Sequence, residues 1–165
     1  MMGLDGIRTH KILLLIWLFS LSPFAAALDA PDGIVGATTV NAFQAKQLFD
    51  RGALFIDVRS QADWEIGRIA GAQHLDLQST FGELYHNKSI ARNTPLVIYC
   101  NSDACLRSAY ASAVTVHWGF SQVFYFRSGF FAWMLQDFPL DMGLITALDQ
   151  PLVTASRRIK SSQPH

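Results

Sequence analysis

Leu96-Val97-Ile98-Tyr99-Cys100-Asn101-Ser102-Asp103-Ala104-Cys105-Leu106-Arg107-Ser108 runs from a β-rich apolar segment through a polar loop into a helix. A short, continuous apolar run such as Leu96–Tyr99 suits a strand buried on both faces. The predicted helix covers residues 106–118, with Ala109, Ala111 and Ala113 allowing close packing and Gly119 closing it. The same alternation continues on either side. Leu54-Phe55-Ile56 is an apolar run ending at Asp57-Val58-Arg59, and Val123–Phe126 is a further strand, with residues 129–136 helical after it. Upstream, Thr39 is the expected cap of a helix over residues 40–49, which Arg51-Gly52 ends. Residues 62–66 read as a helical turn, 72–77 as a short strand and 81–91 as helical up to the break at Pro95. Apolar runs alternating with helices predict βαβ units and an α/β fold on a parallel sheet.

In open α/β sheets, ligands bind at the carboxyl ends of the strands. Cys100 falls at such an end. The backbone N–H groups of the loop after it, with the following helix N-terminus, form a concavity suited to anions. The same field favours the thiolate, which is the nucleophilic form of cysteine. Arg107, in the first helical turn, offers a planar fork for an oxyanion. A thiol, an amide nest and an arginine together indicate nucleophilic sulfur chemistry on an anionic substrate. The plain alternative is a small buried hydrophobe.

The chain has 165 residues, enough for one domain. Half its residues are hydrophobic and 16% are charged, which excludes a disordered chain. Thirteen basic residues balance 13 acidic ones, so no nucleic-acid partner is implied. Two cysteines exclude a disulfide scaffold. At the start, Arg8, His10 and Lys11 precede the ten-residue apolar run ILLLIWLFSL (residues 12–21) and then Ser22-Pro23-Phe24-Ala25-Ala26-Ala27. That order predicts a secretory signal peptide cleaved after Ala27. The run is short of the roughly 20 residues that span a bilayer, which argues against the alternative of an uncleaved anchor. The expected location is the bacterial periplasm, with no membrane contact for the mature form. There the two thiols can be oxidised and remain so. The expected organisation is a signal at residues 1–27, a linker at 28–37, a domain at 38–141 and a partly disordered extension at 142–165.

Three motifs then occur in order. Ile56-Asp57-Val58-Arg59, Asp63-Trp64 and Gly67-Arg68-Ile69-Ala70-Gly71-Ala72 resemble the first signature of the rhodanese-like family. Tyr99-Cys100 through Arg107-Ser108-Ala109 is similar to its catalytic loop and helix. Ser128-Gly129-Phe130-Phe131-Ala132-Trp133 is similar to its third piece, a strand followed by G-G-x-x-x-W. The resemblance implies a compact three-layer α/β domain with a mainly parallel central sheet flanked by helices. It implies a sulfurtransferase without cofactor or metal. A small-molecule sulfur donor (thiosulfate or a persulfide) loads sulfane sulfur onto a cysteine, and a thiol or cyanide accepts it. Carried over by position, Cys100 is the sulfur-carrying nucleophile. The loop residues Asn101, Ser102, Asp103, Ala104 and Leu106 would cradle the persulfide or bound anion, with Arg107 and Ser108 completing the site and Arg107 holding the donor oxyanion. Asp57 and Arg59 would buttress the loop, and Trp133 would be core.

Several positions depart from the pattern. Arg107 stands seven residues after Cys100, where the family's usual loop has five and its phosphatase-like relatives six. Arg68 and Ala70 replace the signature's His and Pro, and Arg127 replaces the usual acidic residue before the glycine pair. Asp103 puts negative charge into an anion-receiving loop, unless it caps the helix, which is the expected role. Cys105 is the largest departure. It is a resolving thiol that attacks a Cys100 persulfide, a redox or structural disulfide partner, or a buried inert thiol. Two further readings follow: a thiol–disulfide protein cycling Cys100 and Cys105 with a periplasmic redox partner, or a non-catalytic binding module of the same fold. His74 is expected to be structural.

Overall fold

A computed structural model describes residues 29–143. The predicted signal at residues 1–27 and the polar tail from Thr154 lie outside the described residues. The chain folds as α/β, with five parallel strands in one central sheet. The strands are β1 (Thr38–Thr39), β2 (Leu54–Asp57), β4 (Gln73–His74), β5 (Leu96–Tyr99) and β6 (Val123–Phe126), in the spatial order β1-β6-β5-β2-β4. β5 is therefore central, and all four of its residues are buried. Ile98 lies opposite Ile56 on one side and Tyr125 on the other.

Side chains alternate across this sheet and divide the core into two layers. Leu96, Ile98 and Cys100 face Ile56, Val58, Leu84 and Ala111. Val97 and Tyr99 face Phe55, Phe126 and Trp133 on the other side. Helix α4 (Leu106–His117) and the short α3 (Glu83–His86) contribute to the first layer. Helices α1 (Ala42–Asp50) and α5 (Gly129–Met134) cover the second. Trp133 is fully buried, packs edge-on against Phe49 and Phe55, and donates its indole N–H to the Pro139 carbonyl. Such a side chain stabilises the fold by about 2–3 kcal/mol through area burial.

The structure differs from the sequence expectation at several element ends. Asn41, not Thr39, caps α1. Its side chain accepts from the Gln44 N–H while the Gln44 side chain accepts from the Asn41 N–H. Thr39 instead sits in β1, its hydroxyl donating to the Asp32 carbonyl. The helix expected over residues 81–91 is reduced to the single turn of α3, because Thr80 and Phe81 fold back in turns onto the Asp76 carbonyl. The strand expected at 72–77 is the two-residue edge strand β4, although the Leu75 N–H continues to the Asp57 carbonyl. Helix α2 (Gln61–Ile66) begins at a Ser60 cap. A two-stranded antiparallel ribbon of β3 (Gly67–Ile69) and β7 (Leu140–Met142) closes one side, with Ile69 opposite Leu140.

Candidate active site

Cys100 follows β5 directly and is 1% exposed, since its side chain continues the inward row of Leu96 and Ile98. The chain then turns through residues 101–104 and enters α4 at Cys105, the N-cap residue. Cys100 and Cys105 form a disulfide, with Cα atoms 6.3 Å apart. Cys105 is half-buried, and Ala104 and Leu106 beside it are exposed. Inside the loop, the Cys105 N–H donates to the Ser102 carbonyl and the Ala104 N–H to the Ser102 hydroxyl. Two amides expected in an anion cradle are therefore engaged within the loop. The first-turn amides of α4 at Leu106 and Arg107 have no intrahelical acceptor. Arg107 stands in that turn, half-buried and with no ion pair or side-chain hydrogen bond among the described residues. Ser108 is fully buried one residue further on.

Two supports hold the start of the loop. The first is α5. The Phe130 N–H donates to the Cys100 carbonyl (2.8 Å) and the Phe131 N–H to the Asn101 carbonyl (3.0 Å). This approach requires Gly129, which has a φ of +61° and whose missing Cβ would collide with the Cys100 carbonyl oxygen. The second is the buried pair Asp57 and Arg59. The Arg59 guanidinium donates to both Asp57 carboxylate oxygens (2.6–3.0 Å) and to the Gly67 carbonyl (2.7 Å). Its remaining nitrogen reaches the Asn101 side-chain oxygen at 3.3 Å, and the guanidinium lies 4.2 Å from the centre of the Phe130 ring. One planar fork thus ties the end of β2, the start of β3, the loop and α5. The Arg59 carbonyl is 3.0 Å from His74 Nε2, and His74 stacks on Trp64, over which Arg68 lies. The Tyr99 hydroxyl accepts from the Ile69 N–H. Burial, with the Asp57 carboxylate beside it, raises its pKa well above the ordinary value of about 10.

Asp103 does not cap α4: the N-cap position has no side-chain hydrogen bond. Its carboxylate instead lies 3.6 Å from Arg127 Nη1. Arg127 also donates from Nε and Nη2 to the Ala30 carbonyl (3.0 and 2.9 Å) and approaches Asp32 at 3.4 Å. The Ala30 N–H donates to the Asp103 carbonyl at 2.7 Å, and Ala30 is buried. The segment before β1 is therefore strapped across the outer edge of the loop. Sequence reading registers Arg127 only as a departure, and its partner at Ala30 is 97 positions away, beyond any local pattern. An open cleft of about 320 Å³ adjoins this arginine, lined by Thr39, Val40, Asn41, Gln44 and Ser128.

Residues 41–136 match the model of the rhodanese-like domain. The thiosulfate sulfurtransferase GlpE of Pseudomonas paraeruginosa is 31% identical over 90 residues, 54% of this chain and 77% of that protein. The protein of the same name from Ectopseudomonas mendocina is 32% identical over 90 residues, 54% of this chain and 78% of its own length. Among solved structures, the rhodanese-like domain of an Anabaena sp. protein superposes with a TM-score of 0.57 at 20% identity, covering 68% of this chain and 83% of that one. A rhodanese-related protein from Thermoplasma volcanium gives 0.52 at 21% identity, covering 63% of this chain and 97% of that one.

Proposed function

The chain belongs to the rhodanese-like domain family, and from that premise we propose that it is a sulfurtransferase carrying sulfane sulfur as a persulfide on Cys100. In the forward step the Cys100 thiolate attacks the outer sulfur of thiosulfate. The S–S bond of the donor breaks, sulfite leaves with the electron pair, and Cys100 holds the persulfide. A thiol or cyanide then takes that sulfur and restores the thiolate. The observation that carries this reading is the position of Cys100 at the carboxyl end of the central strand, beneath a loop leading to the N-terminus of a 12-residue helix. The helix field favours the thiolate and the bound anion. Arg107 is the residue we assign to the donor oxyanion, because it lies in the first turn of α4 with its guanidinium uncommitted among the described residues. Asp103 does not oppose the donor strongly, because Arg127 lies beside its charge. The disulfide must be reduced before Cys100 can react.

The test is thiocyanate formation from thiosulfate and excess cyanide by the reduced protein. We expect turnover in Cys105→Ser and, with reductant kept in excess, in the wild type, and none in Cys100→Ser. Turnover that survives Cys100→Ser would remove the assignment. Export to the periplasm after cleavage at Ala27 belongs to the same proposal, because the start of the chain has the order of a secretory signal. A mature amino terminus at Leu28 is the expected result of sequencing the exported protein.

The disulfide itself favours a second reading, a thiol–disulfide protein in which the pair exchanges electrons with a redox partner. That reading requires a reversible two-electron couple in thiol trapping at set potentials and no thiocyanate formation.

A further inference from the structure

We propose that Cys105 is the resolving thiol of this site. It empties the Cys100 persulfide, so that the chain reduces sulfane sulfur to hydrosulfide at the expense of a dithiol. The inference rests on the Cys100 persulfide proposed above. Its first support is the bond already present. Cys105 Sγ reaches Cys100 Sγ with the loop in its folded position and the Cα atoms 6.3 Å apart. A persulfide on Cys100 leaves that same Sγ as its inner sulfur, in line of reach of Cys105. Attack there forms the Cys100–Cys105 disulfide and breaks the persulfide S–S bond. The electron pair leaves with the outer sulfur, which takes the thiol proton as hydrosulfide. The sulfane sulfur is reduced and the two thiols are oxidised, so atoms and electrons balance.

The second support is the difference in exposure. Cys100 is 1% exposed, so an external thiol has poor access to its inner sulfur. Cys105 is already beside it, and a tethered nucleophile has a large advantage over one arriving from solution. In the return step the difference works the other way. Cys105 is the more exposed residue of the pair, partly buried against the core and flanked by exposed Ala104 and Leu106. An incoming dithiol therefore attacks Cys105, and Cys100 leaves as the thiolate that receives the next donor. The dithiol's second thiol then releases Cys105 and closes its own disulfide.

The third support is electrostatic. Cys105 is the N-cap of α4, and no side chain competes for the amides of the first turn. A thiolate there meets the positive end of the helix, which makes it both an available attacking group and a good leaving group. The nearby negative charge of Asp103 is offset by Arg127 at 3.6 Å.

The test is a single turnover with the full chain. Protein reduced and freed of reductant under anaerobic conditions is mixed with one equivalent of thiosulfate, without cyanide or added thiol. The expected result is about one hydrosulfide per chain, a mass about 2 Da below the reduced protein, and no further reaction until dithiothreitol is added. Cys105→Ser is expected instead to hold a gain of about 32 Da and to surrender it to cyanide. A wild-type chain that keeps the 32 Da with Cys105 still open to alkylation overturns the resolving role and leaves the sulfurtransferase reading intact. Disulfide formation without hydrosulfide also overturns it. Failure of the parent reading is separately visible: neither chain then takes up sulfur nor forms thiocyanate. The decisive arm uses the wild-type protein, so it does not depend on the folding of a variant.

Discussion

Gly129 meets two demands at once. Its φ of +61° is costly for any residue with a Cβ, and that Cβ would also strike the Cys100 carbonyl and the Asn101 backbone. Gly52 meets only the first, at φ +78° with nothing within 4 Å of the added atom. Alanine at Gly52 should therefore cost about 1–2 kcal/mol, the left-handed penalty alone. Alanine at Gly129 should cost more than that in a urea titration, and should also slow thiocyanate formation by displacing the loop that carries Cys100. Equal costs at the two sites would mean that α5 does not press on the loop. The glycine was legible in the sequence as part of an S-G-x-x-x-W motif, and so was the Asp57–Arg59 pair, whose members are two residues apart. The fate of Asp103 was not. A helix-capping role is the local expectation for an aspartate before a helix, whereas its actual partner, Arg127, arrives from the end of the next strand.

At the scale of elements, the central strands β2, β5 and β6 were readable because each is a continuous apolar run of a length that only a doubly covered strand needs. The ribbon of β3 and β7 was not, because Gly67-Arg68-Ile69 and Leu140-Asp141-Met142 have too little pattern of their own and pair only once the chain has folded. Helix α1 is legible in the sequence, but its cap lies at Asn41, two residues beyond Thr39. The reciprocal bonds of Asn41 and Gln44 satisfy amides that Thr39 could not reach, since Thr39 is held in β1 beside Tyr125. Asn41→Ala should therefore lower stability by about 1 kcal/mol in denaturant titration. Thr39→Ala should leave the helix end intact. A larger loss at Thr39 than at Asn41 would contradict the assigned cap.

Across the whole molecule, the strap before β1 and the two-layer core set how the site responds to its surroundings. Arg127 holds the Ala30 carbonyl and neighbours Asp32 and Asp103, so one side chain fastens the entering chain to the edge of the loop. Beneath the loop, Tyr99 couples β5 to β3, and its hydroxyl stays protonated to higher pH than in the unfolded chain. Burial is the main cause and the Asp57 carboxylate the next. Burial also raises the pKa of Tyr125. A folded pKa above the unfolded value of about 10 means that the folded chain binds more protons in that range. The stability this contributes is complete below about pH 10 and is lost as pH rises from there towards the folded pKa. Each such tyrosine should steepen the loss by about 1.4 kcal/mol per pH unit. Urea midpoints of the disulfide form, followed from pH 8 to 11, should fall at the alkaline end. Tyr99→Phe leaves the Ile69 N–H without its acceptor, so it should be less stable at every pH but decline less steeply. Parallel declines would place the alkaline sensitivity elsewhere and separate Tyr99 from the electrostatics of the buried Asp57–Arg59 pair.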